Sequence, residues 1–186
     1  MQFIFGDSTA LPPDLLVDMA RYRHKVFVRK LGWQLQCQDA LEYDQFDRAD
    51  TVYVVAQNEA AEVIGTARLL PTTRPYLLGD VFPQLLHGAP PPSSPEVWEL
   101  SRFAAVDFSG GTGSALDQFS SPIMLNLLRT AMECAAARGA KRFITVSPLG
   151  IERLLRRLGI RAHRIAPPVI VDGHPIFACS IAFDSE

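Results

Sequence analysis

Ionised side chains inside otherwise apolar runs are the residues of this chain best placed to do chemistry. Arg68 stands in Gly-Thr-Ala-Arg-Leu-Leu, and Glu99 and Arg102 stand in Trp-Glu-Leu-Ser-Arg-Phe. Both runs read as strands, where an unpaired guanidinium is costly to bury. Arg68, Glu99 and Arg102 are therefore expected to form a buried charge network, either a structural salt bridge or one that tunes a reacting carboxylate. Arg23 and Phe27 lie four apart in a helical run and share a face, with Trp33 just past its end. A cation beside two aromatic faces can hold a carboxylate and a sulfonium or an adenine ring, or can be ordinary core and surface. Asp44 and Asp47, three apart in an acidic segment, are acceptors for an ammonium or sulfonium, or plain loop carboxylates.

The elements that must position these groups follow from turn signals and periodicity. Gln2–Phe5 reads as a short strand. Pro12-Pro13-Asp14 opens a helix carrying Leu15, Leu16, Met19, Val26 and Phe27 that Gly32 stops. Residues 33–50 lack helical period and carry Asp39, Glu42, Asp44, Asp47 and Asp50, so an irregular acidic segment at the surface or along a cleft is expected. Thr51–Gln57 and Val63–Leu70 flank Asn58–Glu62 as an antiparallel hairpin, and Val97–Val106 is a third strand behind a Pro-rich loop. Ser121-Pro122 supplies an N-cap and first residue for a helix reaching Gly139. Phe143–Ser147 is a strand, Leu149–Leu158 a second helix, and Val169–Val171 with Ile176–Phe183 a hairpin about Asp172-Gly173. Strands flanked by helices give an α/β fold, a three-layer mixed sheet in one domain over 1–186.

Bulk properties narrow the partners. Eighteen Lys and Arg against twenty Asp and Glu leave a net charge of −2, so no global field argues for nucleic acid or an anionic membrane. With 48% hydrophobic and 20% charged residues the chain has the composition of a folded domain. Cys37, Cys134 and Cys179 give neither a disulfide framework nor zinc-ligand spacing, which suits a reducing cytoplasm. No run of eighteen apolar residues and no leader pattern occurs.

Taken together, Arg23, Phe27 and Trp33, then Asp44-x-x-Asp47, then Arg68, then Glu99-x-x-Arg102 resemble the signature of the acyl-homoserine-lactone (autoinducer) synthases. The strings YRHKVFVRKLGW, EYDQFDRADTVYVVA and SPEVWELSRFA are similar to that family as well. All eight signature positions are filled in order over roughly the first hundred residues, a far more specific signal than any one part.

The resemblance implies a sheet similar to that of the Gcn5-related N-acetyltransferases, with central strands that splay into a cleft. It implies S-adenosylmethionine as one substrate and an acyl thioester as the other, on acyl carrier protein or, in some members, coenzyme A. It assigns Glu99, Arg68 and Arg102 to catalysis, with Glu99 taking the amine proton directly or through water. Backbone N–H groups near Ser101–Ala104 are placed to stabilise the oxyanion. Arg23, Phe27, Trp33, Asp44 and Asp47 would hold S-adenosylmethionine while its carboxylate closes the lactone and expels methylthioadenosine, with no metal or cofactor required. An acyl pocket is expected from Ser101, Met124, Leu128, Thr145, Val146 and Leu149. A threonine matching Thr145 accompanies chains with oxygen at the third carbon in similar synthases; a backbone-bonded strand residue is the alternative. Arg153, Arg156 and Arg157 lie on one helical face, with Lys141 and Arg142 upstream, an expected docking site for an acidic carrier protein or a merely solvated basic face. Against an ordinary acetyl-coenzyme A enzyme, Gly110-Gly111-Thr112-Gly113 lies in a polar connector and makes no clean pyrophosphate loop. A covalent acyl-cysteine route and a non-catalytic sensor are the competing chemistries.

Overall fold

The computed structural model describes residues 1–109 and 122–183. Ser121 and the glycine-rich stretch at Gly110–Gly113 fall outside them, so the expected N-cap and the connector belong to the undescribed part. Strands β1 (Gln2–Asp7), β2 (Val52–Gln57), β3 (Val63–Pro71), β4 (Val97–Ala105), β5 (Arg142–Pro148), β6 (Ala162–Arg164), β7 (Val169–Val171) and β8 (His174–Ala182) form one mixed sheet in the order β1-β2-β3-β4-β5-β8-β6, with β7 on β8, and helices flank it. Contacts group the chain into two compact units. The first is Met1–Leu69 with Arg102–Ala131, and the second is Leu70–Ser101 with Met132–Glu186.

In the first unit, β1 (Gln2–Asp7), β2 (Val52–Gln57) and β3 (Val63–Pro71) run antiparallel in turn, as the Asn58–Glu62 turn predicts. Every residue of β2 from Val52 to Ala56 is buried, so this strand is covered on both faces and shows no alternation. Helix α1 (Pro13–Arg23) starts on a proline whose fixed φ suits the first turn. Leu15 and Met19 of α1, with Leu11 just ahead of it, pack on Tyr53 and Val55. The expected single helix instead changes character at His24. Residues His24–Lys30 form a π-helix, in which Leu31 N donates to Val26 O, before Gly32 at φ +72° ends it. The wider turn keeps Val26 and Phe27 in a cluster with Tyr22, Ala104 and Val106, and such turns recur at functional sites. Gly65 is needed for close approach: a Cβ there would lie 3.2 Å from Leu127 of α3 (Pro122–Ala136) and 3.3 Å from the Ala104 carbonyl.

In the second unit, the part of β4 (Val97–Ala105) up to Ser101 pairs parallel with β5 (Arg142–Pro148), Trp98 opposite Phe143 and Glu99 opposite Ile144. Parallel neighbours require a crossover, which the chain makes through α3. β8 (His174–Ala182) runs antiparallel to β5, β6 (Ala162–Arg164) and β7 (Val169–Val171). β6 is too short to leave a strand pattern in the sequence. Phe143, Phe177, Ala178, Cys179 and Ile181 form the buried centre, and α4 (Ile151–Arg157) buries Leu155. The one-turn helix α2 (Leu77–Asp80) and a 3₁₀ turn at Pro83–Leu86 lie in the connection ahead of β4.

Candidate functional site

Three arginines and three carboxylates are interlocked inside the first unit. Arg23, at the end of α1, donates from Nε to Glu42 Oε2 at 2.5 Å and from both terminal nitrogens to Asp47 at 2.7 and 3.0 Å. Arg68, on β3, reaches Asp44 at 2.5 Å and Asp47 at 3.3 Å. Arg102, on β4, grips Glu42 with Nε and Nη2 at 3.0–3.1 Å and touches Asp44 through Nη2 at 2.8 Å. Buried charges demand this level of satisfaction, because removing one partner strands the other. The irregular acidic segment can supply it because Asp44 and Asp47 fold onto each other: Asp44 N donates to Asp47 Oδ2, and Phe46 N to Asp44 Oδ1. Tyr53, directly opposite Arg68 in the hairpin register, donates its hydroxyl to Asp47 at 2.7 Å.

The electrostatics follow from that geometry. Burial raises the Asp47 carboxyl, but the Arg23 charge and hydrogen bonds, with Arg68 and the Asp44 amide, outweigh it and hold Asp47 well below the carboxylate range. For Arg23, burial disfavours the charge, yet Asp47 and Glu42 drive it further into its protonated state. Burial and then the Asp47 charge push Tyr53 far up, so it remains a donor. Asp44 is the member that solvent reaches, with a side chain 20% exposed against 1% for Glu42 and 4% for Asp47.

Aromatic surface sits on the same network. Phe27 is buried and stacks on Trp33 at 4.8 Å with planes 22° apart, while Trp33 is 44% exposed. The Arg102 guanidinium lies 5.7 Å from the Phe27 ring centre and 6.0 Å from that of Trp33, within cation–π range. Arg102 adopts φ +49°, a conformation unusual for a residue with a side chain.

In the second unit, Glu99 is fully buried and accepts from the Leu77 and Leu78 amides at 2.9 and 2.6 Å. Its carboxylate orientation is thus fixed by the first turn of α2. Tyr76, just before that turn, is pushed up to about 12 by burial and by the Glu99 charge. Ser101 is buried, Thr145 and Val146 are half-buried, and Leu149 is 49% exposed in the turn before α4. The Thr145 hydroxyl reaches the Val146 carbonyl at 3.4 Å. Met124 and Leu128, buried on α3, belong to the first unit. Arg142, Arg153 and Arg157 are exposed, Arg156 bonds to Glu152 at 3.1 Å, and Lys141 pairs with Glu96.

The structure therefore brings Arg23, Phe27, Trp33, Asp44, Asp47, Arg68 and Arg102 together in one unit. Within the first unit Arg68 and Arg102 pair with Glu42, Asp44 and Asp47 of the acidic segment, carboxylates that the sequence reading did not link to them. Glu42 and Tyr53 were missed. The signal for Tyr53 lay in the hairpin register, and Glu42 stood two residues before Asp44 with nothing local to mark its partners. Among the described residues no group of three His, Cys, Asp or Glu could hold a metal, and no helix is long and apolar enough to cross a membrane.

Residues 10–186 match the autoinducer synthase family model. An acyl-homoserine-lactone synthase of Acinetobacter nosocomialis is 54% identical over 97% of this chain and 99% of its own length. The solved structure of TofI in a ternary complex with an inhibitor and MTA is 45% identical, covering 98% of this chain and 91% of its own, at a TM-score of 0.83. The CoA-dependent acyl-homoserine lactone synthase BjaI, solved with SAM and isopentyl-CoA, is 26% identical over 98% of this chain and 82% of its own, at a TM-score of 0.82. A chain assigned as an N-acetyltransferase from Lactobacillus plantarum shares the fold at 19% identity, over 98% of each chain, with a TM-score of 0.64. With the eight signature residues filled and relatives this similar along nearly their whole length, the chain belongs to the autoinducer synthase family and is an acyltransferase, an acyl-homoserine-lactone synthase.

Proposed function

We propose that this synthase moves an acyl chain from the thioester of an acyl carrier protein to the amine of S-adenosylmethionine, whose carboxylate then closes the lactone and expels methylthioadenosine. The observation that carries this reading is the balanced ion cluster of the first unit, which turns one carboxylate, Asp44, toward solvent and carries the stacked Phe27 and Trp33 on the same network. Asp44 accepts the cationic end of S-adenosylmethionine, and the exposed face of Trp33 takes its aromatic ring. Arg23 and Asp47, whose groups are occupied by each other and by Glu42, Arg68 and Tyr53, hold this surface in place. The MTA bound by TofI and the SAM bound by BjaI support the same small-molecule substrate here.

Glu99 is the proposed acceptor of the amine proton, directly or through water, with its orientation set by the Leu77 and Leu78 amides. Arg68 and Arg102 complete the catalytic set, and backbone N–H groups near Ser101–Ala104 receive the oxyanion charge. In the second unit, Ser101, Thr145, Val146 and Leu149 are the proposed contacts of the acyl chain; Met124 and Leu128 are buried apolar positions of α3 in the first unit. The sulfonium is already an activated leaving group, so the chemistry calls for no metal or redox cofactor. Transfer is direct: burial raises all three thiols, Cys179 to about 11, and a raised thiol is a poor nucleophile at neutral pH. These free cysteines suit the reducing cytoplasm in which we place the enzyme.

Carrier protein is the proposed donor because Arg142, Arg153 and Arg157 are exposed cations of the second unit, available to an acidic partner. Purified protein given S-adenosylmethionine and a medium-chain acyl carrier protein should release methylthioadenosine and an acyl-homoserine lactone, followed by mass spectrometry. Glu99→Gln should lower turnover by about 10²–10⁴-fold, the range of a general acid–base group. Turnover with acyl-coenzyme A alone would reassign the donor, and wild-type rates in Glu99→Gln would reassign the base.

A further inference from the structure

Asp44 meets a cationic substrate with its carboxylate already engaged, Oδ1 accepting from Arg68 and the Phe46 amide and Oδ2 from Arg102 Nη2, so a cation at Oδ2 competes with Arg102. Releasing Arg102 outright would leave a nearly buried guanidinium short of a counter-charge, which is strongly unfavourable. Glu42 removes that difficulty. Its Oε1 accepts from Arg102 Nε and Nη2 at 3.1 and 3.0 Å, and its Oε2 accepts from Arg102 Nε at 3.1 Å and Arg23 Nε at 2.5 Å. Its own backbone N–H is tied to the Ala20 carbonyl of α1 at 3.2 Å, so the carboxylate is fixed to the helix that carries Arg23. Arg102 can therefore lose Asp44 and remain paired through two of its nitrogens, still lying over Phe27 and Trp33.

We propose that Glu42 is a positioning residue for substrate exchange: as the resident counter-ion of Arg102, it lets Asp44 trade that arginine for the cationic end of S-adenosylmethionine. The inference rests on the reading of Asp44 as the acceptor of that cation. Charge counting gives the consequence. Arg23, Arg68 and Arg102 face Glu42, Asp44 and Asp47. Neutralising Glu42 removes one negative charge from the cluster and commits Arg102 to Asp44, so a cationic ligand is opposed twice. Methylthioadenosine, a neutral thioether without the amino-acid end, needs no such exchange.

Titration calorimetry of the wild type, Glu42→Gln and Glu42→Asp with S-adenosylmethionine and with methylthioadenosine separates the cases. Glu42→Gln should weaken S-adenosylmethionine by about tenfold or more, the scale on which one partner of a buried charge pair counts, and leave methylthioadenosine within about twofold. Glu42→Asp, which keeps the charge at shorter reach, should recover part of the loss, and the Michaelis constant for S-adenosylmethionine should rise more than turnover falls. Equal weakening of both ligands would make Glu42 merely structural, and unchanged S-adenosylmethionine affinity would remove it from the site; either overturns the proposal. Should Glu42→Gln lose its near-ultraviolet circular dichroism, Glu42→Asp decides by the same ligand contrast. A wild type that binds methylthioadenosine but no S-adenosylmethionine would instead overturn the underlying reading of Asp44.

Discussion

The two units of this molecule use arginine in opposite ways. In the first, Arg23 and Arg68 are fully buried and Arg102 nearly so, each with fixed carboxylate partners. In the second, Arg153 and Arg157 stand in solvent on α4, and Arg156 makes a single helical pair with Glu152 while its own side chain is 56% exposed. A buried charge is a commitment to geometry, because desolvation penalises every unpaired state. An exposed one keeps its hydration and acts at a distance, subject to screening. The first arrangement can hold a small substrate in one orientation, and the second can attract a large acidic one without specifying contacts.

The largest expected effect of breaking this contrast is Arg68→Ala, which leaves Asp44 and Asp47 short of a counter-charge. Chemical denaturation should show a loss of about 3–5 kcal/mol, as for one partner removed from a buried pair. A loss under about 1 kcal/mol would mean that the network behaves like a surface one.

Acid sharpens the same point. The folded Asp47 carboxyl lies below its unfolded value of about 3.9, so its contribution is fully present above that pH and is lost as pH falls toward the folded value. Denaturation midpoints should decline below about pH 4, and Asp47→Asn, less stable at neutral pH, should show a shallower decline. Parallel acid limbs in the two proteins would place the acid-sensitive group elsewhere.

On the exposed side, Arg153→Glu with Arg157→Glu should raise the Michaelis constant for acyl carrier protein by about tenfold and leave S-adenosylmethionine kinetics unchanged, with added salt weakening the wild type in the same direction. Salt-independent kinetics would remove the carrier protein from α4. The smallest effect belongs to Arg156→Ala, where about 0.5 kcal/mol or less is expected in thermal denaturation, because the pair is half in water and Glu152 keeps Arg164.

Much of this was legible from the residues alone. The hairpin of β2 and β3, the strand β5 between two helices and the closing hairpin are written in turn residues and periodicity, which are local properties of the chain. So were the eight signature positions, because their types and order are themselves sequence facts. The conversion of the first helix to a π-helix at His24 was not, since a widened turn that keeps Val26 and Phe27 in a buried cluster leaves no periodic mark in a seven-residue stretch.

Partner choice is where tertiary structure decided. That Arg68 and Arg102 needed carboxylates followed from the cost of burying a guanidinium in an apolar strand. That Glu42, Asp44 and Asp47 supply carboxylates to them, and that Glu99 takes two backbone amides about twenty residues upstream, depends on which groups the fold brings within 3.3 Å. The acidic segment has no period to reveal its direction, and only contact with Arg23 and Arg102 separates the buried Glu42 from the exposed Asp39 three residues before it. Sequence determined which charges had to be compensated; the fold determined by whom, because Coulombic and hydrogen-bond energies depend on distance in space and not along the chain.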